Sequence, residues 1–332
     1  MKDYVGSTLQ VRGAEQYVLQ YGKGDGMHFI NVRNGLGLEA WISVDRAGDV
    51  SRLVFEGKNM GYFTPNGYVA PSYYDDKGAG FLKSFTAGFC TTCGLTTVGS
   101  PCTDRDEELP LHGTVSHIPA KIVCIDETDE ALTIKLKIED AVIFGRKLLL
   151  TRTYVFSYTE NTFEMIDTTE NQGDNEVPYL ILYHCNMGYP LLCENSIVKV
   201  PNSKITPRTE NAAEYIDTAL VMEKPQSNYT ERCYFFDTLE KDGLAHAGIY
   251  SPDFNCGMVM SYKKDTLPCF TEWKMMGRRD YVIGLEPGNA IPDGREAMRK
   301  MNMLKTLKPN ESETTAVRFS FMSDKQAFEK SF

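Results

Sequence analysis

The chain has 332 residues, 42% of them hydrophobic, enough to bury one large core or two smaller ones. A formal net charge of −10 and a pI near 5.1 weigh against nucleic acid and anionic membrane as main partners. No apolar run approaches the ~20 residues that cross a bilayer, and the opening "MKDYVGSTLQVRG" has no apolar leader, so a cytoplasmic protein is expected.

In chain order the strand signals dominate. "HFINVRNG", "LEAWISVDRAG" and "VSRLVFEG" are short runs of β-branched, aromatic and aliphatic residues closed by Gly, Asn or Asp. "AKIVCIDETDE" and "ALTIKLKIED" come next. In the latter Leu132, Ile134, Leu136 and Ile138 share one face while Lys135 and Lys137 share the other. Such alternation marks a sheet with one wet side, hence antiparallel pairing. Residues 147–169 predict a hairpin, "LLLTRTYVF" and "TFEMIDTTE" around "SYTEN", and "TTAVRFSFM" predicts a late strand. One helix is predicted in "REAMRKMNMLKT", where Ala297, Met298, Met301 and Leu304 recur near helical spacing. With no repeat and no Pro- or Ser-rich linker, the expectation is one all-β domain over residues 1–332. Its form is a large antiparallel β-sandwich with one or two short helices.

The nine cysteines have no regular spacing and read as reduced thiols. Cys90 and Cys93 form a single Cys-x-x-Cys, but a structural zinc site needs further ligands, and the residues after Cys93 read as loop. No metal is expected.

Three stretches concentrate polar residues where apolar patterning breaks. The first, "CGLTTVGSPCTDRDEELPLHGTVSHIPA", is long, has little strand character and carries His112 just before a new strand. The second is "PYLILYHCNMGYPLL", a run of apolar and aromatic residues that ends in His184 and Asn186. The third is "WKMMGRRDYVIGLEPGNAIPDG", a hairpin over 271–285 with its turn near 277–279 that delivers Glu286 at a strand end. Each has a bland reading: His184 as a buried histidine bonded to a carbonyl, His112 as a turn cap, Glu286 as a charge facing water. Together they are a set of two imidazoles and a carboxylate suited to acid–base work near neutral pH. His28, His117 and His246 lack this context and read as structural or surface residues.

In these residues the sequence resembles the galactose mutarotase-like superfamily, the aldose 1-epimerases, and within it a bacterial branch. The marks are "RNGLGLEAWISVDRAGDV", "TCGL" with a downstream "PLHG", "LYHCNMGYPLL" and "WKMMG…YVIGLEPGN", in that order. The resemblance implies the sandwich and a cofactor-free opening and reclosure of a sugar ring. It implies Glu286 as the base that takes the anomeric proton and His184 as the acid that protonates the ring oxygen, with a histidine pKa held up by its surroundings. His112 and Asn186 are implied as substrate-binding groups, Asn186 either bonding a hydroxyl or orienting its neighbours. Asp237 of "CYFFDTL" is implied as the carboxylate that holds a sugar hydroxyl. The sequence departs from the better-known members in lacking their Gly-Arg-x-x-Asn-Arg pattern, with Lys83 as the only basic candidate in that region.

Lys274 is a further candidate. A three-residue turn at 277–279 puts it opposite 282 on the face of Glu286, where it would hold a carboxylate or phosphate; a two-residue turn points it away. The expected partner is a small carbohydrate, with a homodimer left open. Two rival readings stand beside this one. One is a non-catalytic carbohydrate-binding protein that uses Trp273, Tyr183 and Tyr189. The other is an isomerase of an oxidised or phosphorylated sugar that uses Lys274 or Lys83.

Overall fold

A computed structural model describes residues 3–332. Strands make up 48% of the chain and helices 11%, against the ~20–25% strand of an ordinary globular protein. Three antiparallel sheets dominate, of five, nine and six strands. The five-stranded sheet runs in chain order from Gly13–Val18 through Asp49–Phe55 to Lys58–Asn59. The nine-stranded sheet carries the longest strands, Ala131–Ala141, Lys147–Ser157 and Ser312–Met322. The six-stranded sheet has the order Asn202–Pro207, Arg232–Thr238, Cys269–Met276, Tyr281–Gly288, Leu180–Met187, Cys90–Leu95, and it carries the site.

Side-chain alternation decides what each sheet buries. Leu132, Ile134, Leu136 and Ile138 all enter the core, as their spacing predicts, while Lys137 is exposed. On Leu180–Met187 the residues Ile181, Tyr183, Cys185 and Met187 face the same core. His184 and Asn186 therefore point to the opposite, outer face of the site sheet. Every residue of this strand is buried, because both of its faces are covered. Leu180 and Leu182 lie under a small apolar cluster with Cys93, Val98, Ala290 and Met298. Beside it a second small cluster, Phe81, Phe85 and Ala87, forms another cover.

The sheets are tied together by a polar hub. Arg152, wholly buried in the nine-stranded sheet, donates to both carboxylate oxygens of Asp167 at 2.9 and 2.7 Å. It also donates to Asp49 Oδ1 in the five-stranded sheet (2.7 Å) and to Thr92 Oγ1 in the site sheet (2.6 Å). Tyr183 donates to Asp167 Oδ2 at 2.9 Å. Each buried charge here has a partner, as a low-dielectric interior requires.

Several local expectations need correction. Among the described residues the α-helices are Glu210–Glu214, Arg295–Lys300 and Lys325–Lys330, so the predicted helix is shorter and two others join it. The strand at Cys90 continues through Cys93 to Leu95, two residues beyond the expected break, before the loop begins. Its two thiols face opposite sides, Cys90 in the main core and Cys93 in a small cluster, and so cannot reach one ion. The hairpin after Cys269 pairs Met276 with Tyr281, so its loop holds four residues, 277–280. Lys274 then pairs with Ile283, while Thr271 pairs with Glu286. Paired residues share a face, so Lys274 is on the opposite face from Glu286. No helix among the described residues is long and apolar enough to cross a membrane.

Candidate active site

The register of the site sheet assembles the polar set. Cys185 pairs with Leu285, Asn186 with Gly284 and Leu182 with Gly288, so His184 lies across from Glu286. On the flanks Thr91 pairs with His184 and Thr271 with Glu286. The outer face thus carries a row Thr91–His184–Glu286–Thr271, each residue beside the next. Gly284 makes room for it. A Cβ there would collide with Glu286 Oε1, so the carboxyl group folds back over this glycine.

His112 arrives from the long loop. Its backbone is left-handed (φ 59°), a conformation that costs a non-glycine residue about 1 kcal/mol or more. The loop holds it there: His112 N–H donates to the Gly99 carbonyl (2.8 Å), and Gly94 N–H donates to the His112 carbonyl (3.0 Å). The imidazole centroids of His112 and His184 are 5.3 Å apart, edge to face. Phe81 packs on His112, Phe85 and Trp273 on His184.

These groups line a cavity of about 170 Å³. His184 Nδ1 is 3.3 Å from Glu286 Oε1, and the two residues are 5% and 2% exposed. Neither atom makes a well-aligned hydrogen bond, and the same holds for His112 Nδ1, Thr271 Oγ1 and the adjacent Asn186 Oδ1. Buried polar atoms are usually paired, so these leave hydrogen-bonding capacity in and beside the cavity for water or a polar ligand.

Burial sets the charge state. It pushes the Glu286 carboxyl well above the usual range; Glu231 adds to the rise and Arg208 opposes it. Burial lowers His184 to about 4, with the side chain of Asn186 working the other way. Burial likewise holds His112 well below its ordinary value, helped by His184 and Arg208. The sequence expectation of a raised His184 pKa is therefore reversed.

The remaining candidates fall as follows. Asn186 donates to its neighbour's carbonyl, His184 O, at 2.7 Å and does not line the cavity, which fits orientation of His184. Asp237 is exposed, bonded to Ser203 and Lys264, and away from the cavity, because its side chain points out from near the sheet's margin. Lys274, on the inner face, donates to the Thr218 and Val221 carbonyls and pairs with Glu223 at 3.3 Å, so it cannot reach a ligand beside Glu286. Lys83 is exposed and paired with Asp75. Of the aromatics, Trp273 lines the cavity, Tyr183 faces the core, and Tyr189 is exposed against Phe254. Among the described residues no cluster of three or more His, Cys, Asp or Glu is arranged to hold a metal ion.

Sequence reasoning missed Arg208, Glu231 and Cys233, all of which line the cavity. Arg208 donates to Asp293 Oδ1 and Ser100 Oγ, both at 2.7 Å, and to the Pro292 carbonyl. Glu231 stands at the mouth and accepts from the Trp273 indole N–H at 2.8 Å. Burial pushes the Cys233 thiol up to about 12, so it is neutral. The signal that could have found Arg208 and Cys233 is three-dimensional: they are near neighbours across a strand edge, Arg208 N–H donating to the Cys233 carbonyl.

This sandwich, with its polar row on the outer face of one sheet, has the galactose mutarotase-like fold. The chain belongs to the family described as "Domain of unknown function (DUF4432)", whose model matches residues 24–321. No curated protein matches the sequence. Among solved structures, a candidate aldose 1-epimerase from Klebsiella pneumoniae subsp. pneumoniae MGH 78578 is 23% identical. It superposes with a TM-score of 0.89 over 96% of this chain and 85% of that one. A galactose mutarotase-like protein from Clostridium acetobutylicum is 14% identical, with a TM-score of 0.68 over 94% of this chain and 99% of that one. Galactose 1-epimerase from Lactobacillus acidophilus NCFM is also 14% identical, with a TM-score of 0.62 and coverage of 93% and 98%. At these identities the likeness is one of fold.

Proposed function

We propose that this protein is an aldose 1-epimerase-like isomerase that opens and recloses the ring of an uncharged monosaccharide. The observation that carries this reading is the unpaired, buried contact of His184 Nδ1 with Glu286 Oε1 at 3.3 Å in a sugar-sized cavity.

Ring opening needs the anomeric hydroxyl deprotonated while the ring oxygen is protonated, since either step alone leaves an unstabilised charge. One proton shared by the pair serves both directions. With Glu286 as carboxylate and His184 as imidazolium, the pair opens the ring and ends as a neutral acid and a neutral imidazole. That neutral pair is the form needed to close the ring from either face of the aldehyde. Burial favours the neutral form in the free protein, so the proton crosses from Glu286 to His184 before opening. His112 and Thr271 supply further polar atoms for sugar hydroxyls, Glu231 accepts at the mouth, and Trp273 offers an apolar face to the ring.

The isomerase reading for an oxidised or phosphorylated sugar wants a cation free to meet an anion. The cation lining the cavity, Arg208, is paired with Asp293 at 2.7 Å, while Lys274 and Lys83 are committed elsewhere. These pairings support a neutral substrate.

The test is NMR exchange between anomers, run on a panel of neutral aldoses beside hexuronates and sugar phosphates. Exchange of a neutral aldose above the buffer rate is expected, with Glu286→Gln lowering it by at least ~10²-fold. An acidic sugar as the only substrate would overturn the charge argument. Exchange retained within a few-fold in Glu286→Gln would remove the assigned base.

A further inference from the structure

Arg46 is a cation sealed inside the protein. It lies in the turn between Leu38–Ser43 and Asp49–Phe55 and is 6% exposed. The neighbouring Asp49 is engaged by Arg152 and Thr92. Arg46 spends its donors on carbonyls instead. Nε donates to Ser116 O at 2.6 Å, and Nη1 to Val69 O and Ser84 O, both at 3.0 Å. Nη2 is 3.0 Å from His117 Nε2. Because arginine can only donate, that nitrogen of His117 accepts and carries no proton. Ser84 Oγ reaches the same nitrogen at 3.0 Å.

These contacts lead toward the cavity. The His117 ring stacks on Tyr74 with centroids 3.6 Å apart. Tyr74 O–H donates to the carbonyl of Gly113, the residue after His112, at 3.0 Å. Phe81 touches the rings of both His117 and His112, and Phe85 touches His184. The aromatic wall has only a small apolar cluster of its own, separate from the main core. The carbonyls that accept from Arg46 belong to none of the three large sheets.

We propose that Arg46, acting through His117, Tyr74 and Phe81–Phe85, is a positioning residue that fastens the aromatic wall of the cavity against His112 and His184. The catalytic readout of this proposal rests on the ring-opening reading; the structural readout does not. A guanidinium suits the task because its planar array of five N–H groups bridges carbonyls from separate segments. A lysine offers three donors at one point and would span fewer of them.

The experiment compares Arg46→Met, Arg46→Lys and Tyr74→Phe with the wild type, at a temperature where each is fully folded. Amide hydrogen exchange and anomer-exchange kinetics are both measured. In Arg46→Met the amides of residues 64–86 and 112–118 should exchange faster, while those of Leu180–Met187 stay protected. KM should rise and kcat should fall about tenfold or more, as expected for catalytic groups that lose their alignment. Arg46→Lys should recover part of this, and Tyr74→Phe should shift both in the same direction by less. Unchanged wall protection with KM and kcat within twofold of wild type would overturn the proposal. So would an equal loss of protection in every sheet, which marks a general stabiliser. If Arg46→Met does not fold, the other two variants decide by the same criteria. Wild-type protein without anomer exchange would sink the ring-opening reading, and the exchange of the wall amides would still judge the role of Arg46.

Discussion

Glu286 folds its carboxyl group over Gly284, two residues back on the same strand, into space that any side chain at that position would occupy. Gly284→Ala should therefore push the carboxyl off its line with His184. The expected result is a fall in anomer-exchange rate approaching ~10²-fold, since small misplacements of reacting groups carry large costs. The thermal melt should move less than the rate, because the worst clash is with the end of the Glu286 side chain and the next, Trp273 Cβ at 3.1 Å, asks only a small shift. An active Gly284→Ala variant would show that the observed carboxyl position is not the working one.

In the proposed mechanism Glu286 and His184 act on one proton, so their losses should overlap. His184→Asn should lower kcat by ~10²-fold or more, like Glu286→Gln, and the double variant should be hardly worse than the worse single one. Multiplying losses in steady-state kinetics would separate the two groups into independent roles.

The rate should form a bell in pH, with limbs opposite to the order of the free amino acids. The pair works while it holds one proton. On the acid side it gains a second on His184, lowered to about 4. On the basic side it loses the one held by Glu286, whose pKa burial raises. The values belong to the pair. A pH–rate profile whose acid limb lies near the ordinary histidine range would contradict this environment.

Lys274 should govern stability and not substrate choice. Lys274→Met strands the Thr218 and Val221 carbonyls, although Glu223 keeps Arg232 at 2.9 Å and Gln226, and should cost roughly 2–3 kcal/mol in denaturant unfolding. KM should be unchanged for neutral and anionic sugars alike. A KM that rises for anionic sugars alone would place Lys274 back at the site.

Glu272 lies on the inner face beside Lys274, fully buried, with neither carboxyl oxygen hydrogen-bonded. Burial raises its pKa to about 8, with Lys274 opposing the rise. The folded state thus keeps a proton that the unfolded chain releases near ~4.5. The contribution of this group is full below about pH 4.5, declines as pH rises to about 8, and is level above. Glu272→Gln should flatten that decline in urea unfolding measured between pH 5 and 8. An equally steep decline in the variant would assign it to other groups.

Much of the frame was legible in the chain. Leu132 to Ile138 announced their sheet by alternation, and His112, His184 and Glu286 stood out as polar residues at breaks in apolar runs. What stayed hidden had physical causes. Leu180–Met187 is covered on both sides, so its pattern of apolar residues does not tell its faces apart. The face of Lys274 depended on whether a loop held three residues or four. Arg208 and Glu231 reach the cavity only through tertiary packing, and Asp237, which the resemblance implied, lies away from it. The low pKa of His184 comes from burial, which no motif displays.

His184 and Glu286 sit on neighbouring strands whose spacing is dictated by the ladder of the sheet, whereas the mouth is built from loop residues: Ser100, Arg208 and Glu231. A change at the mouth leaves the ladder untouched. If the proposed reaction holds, substrate preference could drift between relatives by insertion and exchange in these loops while the pair on the ladder is inherited whole. Two members of this family with the same pair and different rims would be expected to share a reaction and differ in sugar.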